Sequence, residues 1–150
     1  ITSKSDEKKF LLKMGASKVL LKDDYMKEPT KPLDKGLYGG AVDVVGGDML
    51  AKIISMISNH GVVSCCGNVG GASFSSSVFP FILRGIQLSG IDSAESSLSL
   101  KKELWELLAN DWSIELEDQT KIISIDAIDN EITKIINGNQ VGRVVIKHGE

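Results

Sequence analysis

The stretch AVDVVGGDMLAKIISMISNHGVVSCC, residues 41–66, decides the fold class. Its apolar run Ala41–Val45 predicts a buried strand, which Gly46-Gly47 ends. Large apolar residues then recur at offsets of 0, 3, 4 and 7, the spacing of one helix face: Leu50, Ile53, Ile54 and Ile57. Asn59-His60-Gly61 is expected to end that helix, and Val62–Cys66 predicts the next buried strand. A strand, a helix and a second strand in this order indicate a βαβ unit with parallel strands.

The same alternation continues on both sides of this unit. Upstream, the pattern predicts a helix over Lys4–Met14, a strand at Val19–Leu21 and a polar loop over Lys22–Lys35. Downstream it predicts, in order, strand Ile86–Ile91, helix Leu100–Leu108, strand Ile122–Ile125, helix Ile128–Ile136 and strand Val144–Ile146. We therefore predict an α/β fold, a Rossmann-like doubly wound parallel sheet with right-handed crossovers.

Composition excludes several classes of protein. The chain has 150 residues, 42% hydrophobic and 25% charged, which is typical of a soluble globular protein. Seventeen basic and twenty acidic residues give a net charge of −3, so neither nucleic acid nor an anionic membrane is an expected partner. No apolar run approaches the roughly 20 residues that span a bilayer.

The two cysteines bear on location and on metal binding. Cys65 and Cys66 are adjacent, which disfavours a disulfide between them, and we interpret both as small buried residues on a strand. A reduced, cytoplasmic protein is expected. No combination of Cys, His and carboxylate residues has zinc spacing, so no metal site is predicted.

In open parallel sheets, ligands bind beyond the carboxyl ends of the strands. One such segment is Gly67–Gly71, whose glycines are read either as a tight turn or as a place where backbone approaches a ligand. It is not the GxGxxG fingerprint of dinucleotide-binding folds.

Another segment on the expected ligand side is Thr2-Ser3-Lys4, which offers two hydroxyls and a cation, with no acidic residue before Asp6. This pattern favours the 2′-phosphate of NADP over NAD, unless the segment is a solvated stub. His60 and His148 are poor candidates for catalysis.

Several motifs resemble one enzyme family. Pro80–Arg84 and Gly85–Ser93 resemble the "PFILRGxxLxGIDS" segment of the YhdH/YhfP-type quinone oxidoreductases, some of which are acryloyl-CoA reductases. Met14–Val19 is similar to their "LGASxV" stretch, and Ala41–Gly47 to their "GAVDxVGG" strand. Trp105 and a terminal "GRVVV"-like segment beginning at Gly142 also match. These enzymes form a zinc-free branch of the medium-chain dehydrogenase/reductase superfamily.

The resemblance implies an enzyme about twice this length. Residues 1–150 would be its C-terminal part: an incomplete NADP-binding Rossmann domain, lacking the first strand and its glycine-rich loop, plus C-terminal strands that join a GroES-like catalytic domain. The implied reaction is NADPH-dependent reduction of an activated C=C bond or a quinone. Its small-molecule substrate would be an enone, a quinone or an acyl-CoA thioester. Catalytic residues would lie mostly outside the chain, and none is assigned.

The resemblance also implies a set of cofactor contacts. Thr2, Ser3 and Lys4 match an "SGR"-like stretch on the 2′-phosphate, with Ser3 in place of a glycine and Lys4 in place of an arginine. Lys22 would lie near the adenine, and Gly67 and Asn68 beside the nicotinamide ribose. Ile91, Asp92 and Ser93 would lie near the nicotinamide. Two C-terminal residues fall near a further cofactor contact: Asn139 and Arg143. The Ile86–Ile91 strand matches the edge strand through which these enzymes form homodimers.

Two other functions stay open at this stage. A non-catalytic nucleotide- or partner-binding module could have the same fold, because fold alone does not determine function. A methyltransferase of Rossmann-like topology is a weaker alternative. It would need an acidic residue at the end of the second strand to hold a ribose, and Thr2-Ser3-Lys4 offers none.

Overall fold

The computed structural model describes residues 1–114 and 117–148. The chain divides into two compact units, Ile1–Glu95 and Ser96–Glu150. Both contain parallel strands, as the alternation of strands and helices in the sequence predicts.

The first unit is built on a three-stranded parallel sheet in the order β1-β2-β3. The strands are β1 (Tyr38–Asp43), β2 (Ile57–Cys65) and β3 (Gln87–Gly90). The helices are α1 (Lys8–Lys13), α2 (Lys22–Met26), α3 (Gly47–Ser55) and α4 (Phe79–Arg84). Asp43 pairs with Cys65 and Cys65 with Gly90, so the three strands end at the same edge of the sheet.

The core of this unit forms between α3 and the sheet. The helix buries Leu50, Ile53 and Ile54, which are the predicted apolar face, against Val63 of β2 and Ile86. Burial of such aliphatic side chains contributes about 1.5–3 kcal/mol each to folding. The core therefore fixes α3 and the turn that leads into it.

The N-terminal segment forms a second, smaller parallel pairing. Thr2 forms an isolated bridge with Leu21. A cleft separates this pair from β1, which among the described residues pairs only with β2. In the strand order 3-2-1-4-5-6 of dinucleotide-binding sheets, a first strand lies between the second and fourth strands. The cleft occupies that position, so the sheet is the incomplete doubly wound sheet that the sequence predicts.

Arg84, the last residue of α4, forms hydrogen bonds with three segments of the chain. Its guanidinium donates to the carbonyl oxygens of Ser55 and Ile57, at 3.1 and 2.8 Å, and to that of Asp34. These carbonyls lie at the end of α3, at the start of β2 and in the segment before β1. A fixed fork of donors suits such a junction better than the single ammonium of a lysine would.

The second unit contains α5 (Leu98–Ala109), α6 (Ile128–Ile136) and a parallel pair formed by β4 (Thr120–Ile123) and β5 (Arg143–Ile146). The nearly buried carboxylate of Glu131 on α6 accepts from Lys121 Nζ of β4 at 2.6 Å and from Lys134 Nζ at 2.8 Å. This ion pair links the helix to the strand.

Several element boundaries differ from the sequence predictions. The segment Lys22–Lys35, predicted as a loop, begins with α2, and the strand predicted at Val19–Leu21 reduces to the single bridge at Leu21. The helix expected to end near His60 ends at Ser55, because β2 already begins at Ile57 and includes His60. Ile57 is buried like the apolar face of α3, so it fits the helical spacing although it lies in a strand. No helix in the described part of the chain is long and apolar enough to cross a membrane.

Candidate functional site

A cleft of about 840 Å³ lies beside β1 and gathers four of the predicted site residues: Thr2, Ser3, Lys4 and Lys22. The backbone N–H of Thr2 donates to Leu20 O at 2.9 Å, and that of Lys22 donates to Thr2 O at 2.8 Å. These bonds place α2, which begins at Lys22, against the Thr2–Lys4 segment. The same cleft is also lined by Ser17 and Lys18, so it brings together three lysines and the hydroxyls of Thr2, Ser3 and Ser17.

The Thr2–Lys4 segment is held in a local turn. Thr2 Oγ1 accepts the backbone N–H of Lys4 at 3.0 Å. A hydroxyl that accepts one bond can still donate its hydrogen to an anion. The one carboxylate lining this cleft belongs to Asp43, which is buried and turned toward backbone N–H groups. The arrangement therefore suits a phosphate group better than a ribose hydroxyl.

A second cleft, of about 650 Å³, lies at the carboxyl ends of β2 and β3. It is lined by Cys65, Cys66, Gly67, Asn68, Gly90, Ile91 and Asp92. Ile91 is fixed here because its backbone N–H donates to Cys65 O at 2.9 Å. Asp92 Oδ1 accepts the N–H of Glu95 at 3.1 Å, so this carboxylate caps a turn. Ser93, predicted near the same ligand, lies in that turn and does not line the cleft.

The glycines of residues 67–71 serve close packing between two turns. Gly70 N–H donates to Val45 O at 2.7 Å, and Gly46 forms an isolated bridge with Gly71. A Cβ on Gly67 would clash with the carbonyl oxygen of Val44, and one on Gly47 would lie 2.6 Å from Gly70 O. The two turns thus interlock backbone to backbone, which gives the glycines a packing role and leaves Asn68 at the cleft.

Like Lys18 in the first cleft, Asp43 is a site residue that the sequence analysis did not single out. This residue is 1% exposed, at the carboxyl end of β1 where it lines the first cleft. Its carboxylate accepts the N–H of Gly46 at 2.9 Å and that of Val45 at 3.4 Å. The available signal was a lone acidic residue inside the apolar run Ala41–Val45, since an acid is buried only when it is hydrogen-bonded.

The remaining candidate residues lie elsewhere. Asn139 follows α6 and Arg143 begins β5, both in the second unit. His60 lies in β2 with a positive φ of 62°, so the helix-end position expected from the sequence is wrong. The prediction that both cysteines are buried is wrong, because Cys65 is half-buried and Cys66, just beyond β2, is exposed. No group of three or more His, Cys, Asp or Glu side chains suited to a metal ion occurs within residues 1–114 and 117–148.

Curated relatives match almost the whole chain. It is 32% identical over 148 residues to the probable acrylyl-CoA reductase AcuI of Escherichia coli K-12, covering 98% of the chain and 45% of the relative. It is 34% identical over 140 residues to the putative quinone oxidoreductase YhfP of Bacillus subtilis, covering 92% of the chain and 42% of the relative. The chain is a relative of the YhdH/YhfP-type oxidoreductases. No model of a known protein family matches it.

Solved structures agree with this relationship. E. coli K-12 YhdH with bound NADPH superimposes with a TM-score of 0.88, at 32% identity and over 97% of the chain. B. subtilis YhfP with NAD bound gives a TM-score of 0.91, at 32% identity and over 97% of the chain. A cinnamyl alcohol dehydrogenase of Sorghum bicolor shares the fold alone, with a TM-score of 0.70 at 14% identity. The resemblance and the fold class predicted from the sequence are confirmed. The chain spans about 45% of the length of the YhdH and YhfP structures.

Proposed function

We propose that this chain is the cofactor-binding part of an NADPH-dependent oxidoreductase that reduces an activated C=C bond or a quinone. The observation that carries this proposal is the cleft that gathers Thr2, Ser3, Lys4 and Lys22. A cation with hydroxyl donors at the end of the second strand suits an adenosine 2′-phosphate. Residues 1–150 would then comprise a partial Rossmann domain and a C-terminal segment of the catalytic domain.

NADP(H) is the cofactor we propose, with Lys4 on the 2′-phosphate and Lys22 near the adenine. The E. coli YhdH structure has NADPH bound, and the Salmonella enterica YhdH structure is a complex with NADP. The B. subtilis YhfP structure has NAD bound. Discrimination between the two nucleotides is therefore the property by which Lys4 should be tested.

The second cleft fits the nicotinamide half of the same cofactor. Gly67 and Asn68 would contact the nicotinamide ribose, and Ile91 and Asp92 would lie near the ring. Ser93, which does not line this cleft, is kept as a proposed neighbour of the ring. Both clefts include the carboxyl-end region of the sheet, where ligands of parallel α/β folds bind. Asn139 and Arg143 are proposed as further cofactor contacts from the second unit.

The cofactor would supply a hydride from its nicotinamide ring to the β-carbon of an enone, a quinone or an acryloyl thioester. In an enone or an acryloyl thioester, the electrons of the C=C bond would move toward the carbonyl oxygen, and the α-carbon would take up a proton from solvent. A quinone would also take up one proton and would tautomerise to the hydroquinone. The relatives are named as acrylyl-CoA reductases and as a quinone oxidoreductase. This chain's part in such a reaction is to bind and orient the cofactor. We propose no role for zinc.

The Lys4→Glu substitution tests the cofactor assignment in the full-length protein. We expect the Kd for NADPH to rise at least about tenfold, a loss of roughly 1.4 kcal/mol or more, because an attraction to the 2′-phosphate becomes a repulsion. The Kd for NADH should change by less than about threefold. Isothermal titration calorimetry measures both. Lys9→Glu makes the same charge change at an exposed position on α1 and should leave both affinities unchanged.

Equal losses for NADPH and NADH in Lys4→Glu would contradict the role of Lys4. Turnover then tests the reaction itself, by following NADPH oxidation with acryloyl-CoA and with a small quinone as acceptors. Oxidation with either acceptor supports the proposed reductase. Tight NADPH binding without turnover of either acceptor would instead identify a non-catalytic nucleotide-binding module.

Assembly and location complete the proposal. Among the described residues, β3 pairs with β2 and lies at the end of the sheet order, so its other edge is open for a second copy. We propose a homodimer formed through the Ile86–Ile91 strand. Both cysteines are free thiols, which supports a reducing, cytoplasmic location.

A further inference from the structure

Asp43 is a buried carboxylate whose hydrogen bonds all go to the protein's own backbone or to a thiol. Its Oδ2 accepts Gly46 N–H at 2.9 Å, and its Oδ1 accepts Val45 N–H at 3.4 Å. The Sγ of Cys65 on β2 also lies within hydrogen-bond reach of Oδ2, at 3.7 Å. Burying a carboxylate costs several kcal/mol unless such donors surround it. The Val45–Gly46 turn is therefore held with its two N–H groups directed at Asp43.

This turn packs against the second turn, residues 67–71, and forms backbone hydrogen bonds with the segment that contains it. Val45 O accepts the N–H of Gly70, and the backbone carbonyl of Asp43 accepts the N–H of Cys66 at 2.9 Å. The space around Gly46 is filled by the other turn, since a Cβ there would lie 2.5 Å from Gly71 O and 3.3 Å from Asn68 Cα. A shift of the first turn by even a few tenths of an ångström therefore has to move the second.

We infer that Asp43 is a positioning residue for the Gly67–Asn68 turn, acting through the Val45–Gly46 turn and Gly70. This inference rests on the proposed function, in which Gly67 and Asn68 contact the nicotinamide ribose. The carboxylate does not touch the cofactor. It fixes the position of Asn68. The position of Asn68 in turn determines the affinity for the nicotinamide half of the cofactor, which NADPH and NADH share.

An amide cannot replace this carboxylate. Asparagine retains one acceptor oxygen, but an NH2 group replaces the second oxygen. The N–H donors of this group then face the backbone N–H of Val45 or Gly46. One buried backbone donor is left unpaired, so the turn relaxes. Asp43→Asn therefore changes the hydrogen bonding while keeping the volume of the side chain.

The test uses Asp43→Asn in the full-length protein, with two measurements. Amide hydrogen exchange, followed by NMR without cofactor, should accelerate at least about tenfold at both Gly46 and Gly70. Calorimetry should show NADPH and NADH weakened by the same factor, at least about fivefold, unlike the selective loss expected for Lys4→Glu. Ser55→Ala is the matched control, because Ser55 is buried on α3, its hydroxyl donates to Lys52 O, and it lies outside both turns. It should lower the thermal midpoint and leave both nucleotide affinities unchanged.

Gly70→Ala probes the same coupling from the other turn, and it keeps the inference testable if Asp43→Asn does not fold. A Cβ there would lie 2.8 Å from Val45 Cγ1 and 3.2 Å from Val45 O, so the second turn has to shift away from the first. We expect faster exchange of the amide at position 70, slow exchange retained at Gly46, where Asp43 still binds, and equal weakening of NADPH and NADH. Nucleotide affinities equal to those of the wild type would overturn the inference, because the position of the second turn would then not set them.

Unchanged exchange at Gly70 in Asp43→Asn would overturn the inference, as would nucleotide affinities that fall no further than those of Ser55→Ala. If the wild-type protein binds neither nucleotide, the proposed function fails. The exchange rates at Gly46 and Gly70 would still show whether Asp43 controls the second turn.

Discussion

At the scale of single residues, Gly67 illustrates how a position can look like a ligand contact while being fixed by packing. Because a Cβ there would run into Val44 O, and backbone cannot give way as a flexible side chain can, Gly67→Ala must push the turn off β1. We expect it to lower the free energy of unfolding by about 1–3 kcal/mol, the usual cost of overpacking. Chemical denaturation measures this loss.

Gly39→Ala is the control for that experiment, since a Cβ on Gly39 of β1 meets nothing within 4 Å. It should change the unfolding free energy by no more than about 1 kcal/mol. Comparable losses in the two variants would mean that the contact between Gly67 and Val44 is not what holds the turn.

The residues that could be predicted from the sequence are those whose role follows from their place at a strand end. Thr2, Lys4 and Lys22 do line one cleft, and Asn68 and Asp92 another. Arg84 could not be predicted in this way, because it binds carbonyl groups that lie far along the chain, such as Asp34 O, and no local pattern encodes such a contact. Asp43 binds N–H groups only two and three residues away, so its signal was local, a lone acidic residue in an apolar run. Its place at the first cleft depends on the folded sheet. Whether the predicted residues bind a cofactor stays a prediction.

At the scale of elements, periodicity predicts the helices well where the apolar face is complete. The helix predicted over Ile128–Ile136 is α6 with the same bounds, and α5 contains the predicted Leu100–Leu108. Periodicity is misleading at Ile57, where the buried residue belongs to β2. The helix α3 ends at Ser55, well before the predicted end near His60, and Arg84 binds the carbonyls of Ser55 and Ile57 at this boundary. A tertiary contact thus lies at a boundary that local spacing places elsewhere.

The contact between α6 and β4 predicts a pH dependence of the second unit. Hydrogen bonds from Lys121 and then Lys134 hold the pKa of Glu131 below its usual value. Its contribution to the unfolding free energy is therefore fully present above the ordinary glutamate pKa of about 4.3, and is lost as the pH falls through the lower folded value. We expect Glu131→Gln to flatten the fall of stability between about pH 5 and pH 3.

Denaturation of the full-length protein at a series of pH values measures this effect, with tryptophan fluorescence to which Trp105 and Trp112 of the second unit contribute. The exposed Glu103 on α5 supplies the control, and Glu103→Gln should keep the wild-type pH dependence. If Glu131→Gln and the wild type lose stability in parallel on acidification, the ion pair does not couple α6 to β4.

At the scale of the whole molecule, large apolar side chains are exposed beside the first cleft and on α4. Val42 of β1 is 74% exposed and Ile82 of α4 is 68% exposed. The exposed Val42 borders the cleft in which a first strand of a doubly wound sheet would lie. Ile82 belongs to the helix that precedes β3.

The open edge of β3 gives the last prediction, which concerns the proposed homodimer. Two copies joined edge to edge around a twofold axis place equivalent residues of β3 near each other. Ser89 is exposed at the middle of this strand, and a lysine there would bring like charges together across the axis. We expect the full-length protein to sediment as a dimer at micromolar concentration and Ser89→Lys to sediment mainly as a monomer. Ser73→Lys, at an exposed position outside any strand, should stay dimeric. A Ser89→Lys protein that dimerises as tightly as the wild type would place the interface on another surface, because an edge pairing does not tolerate facing lysines.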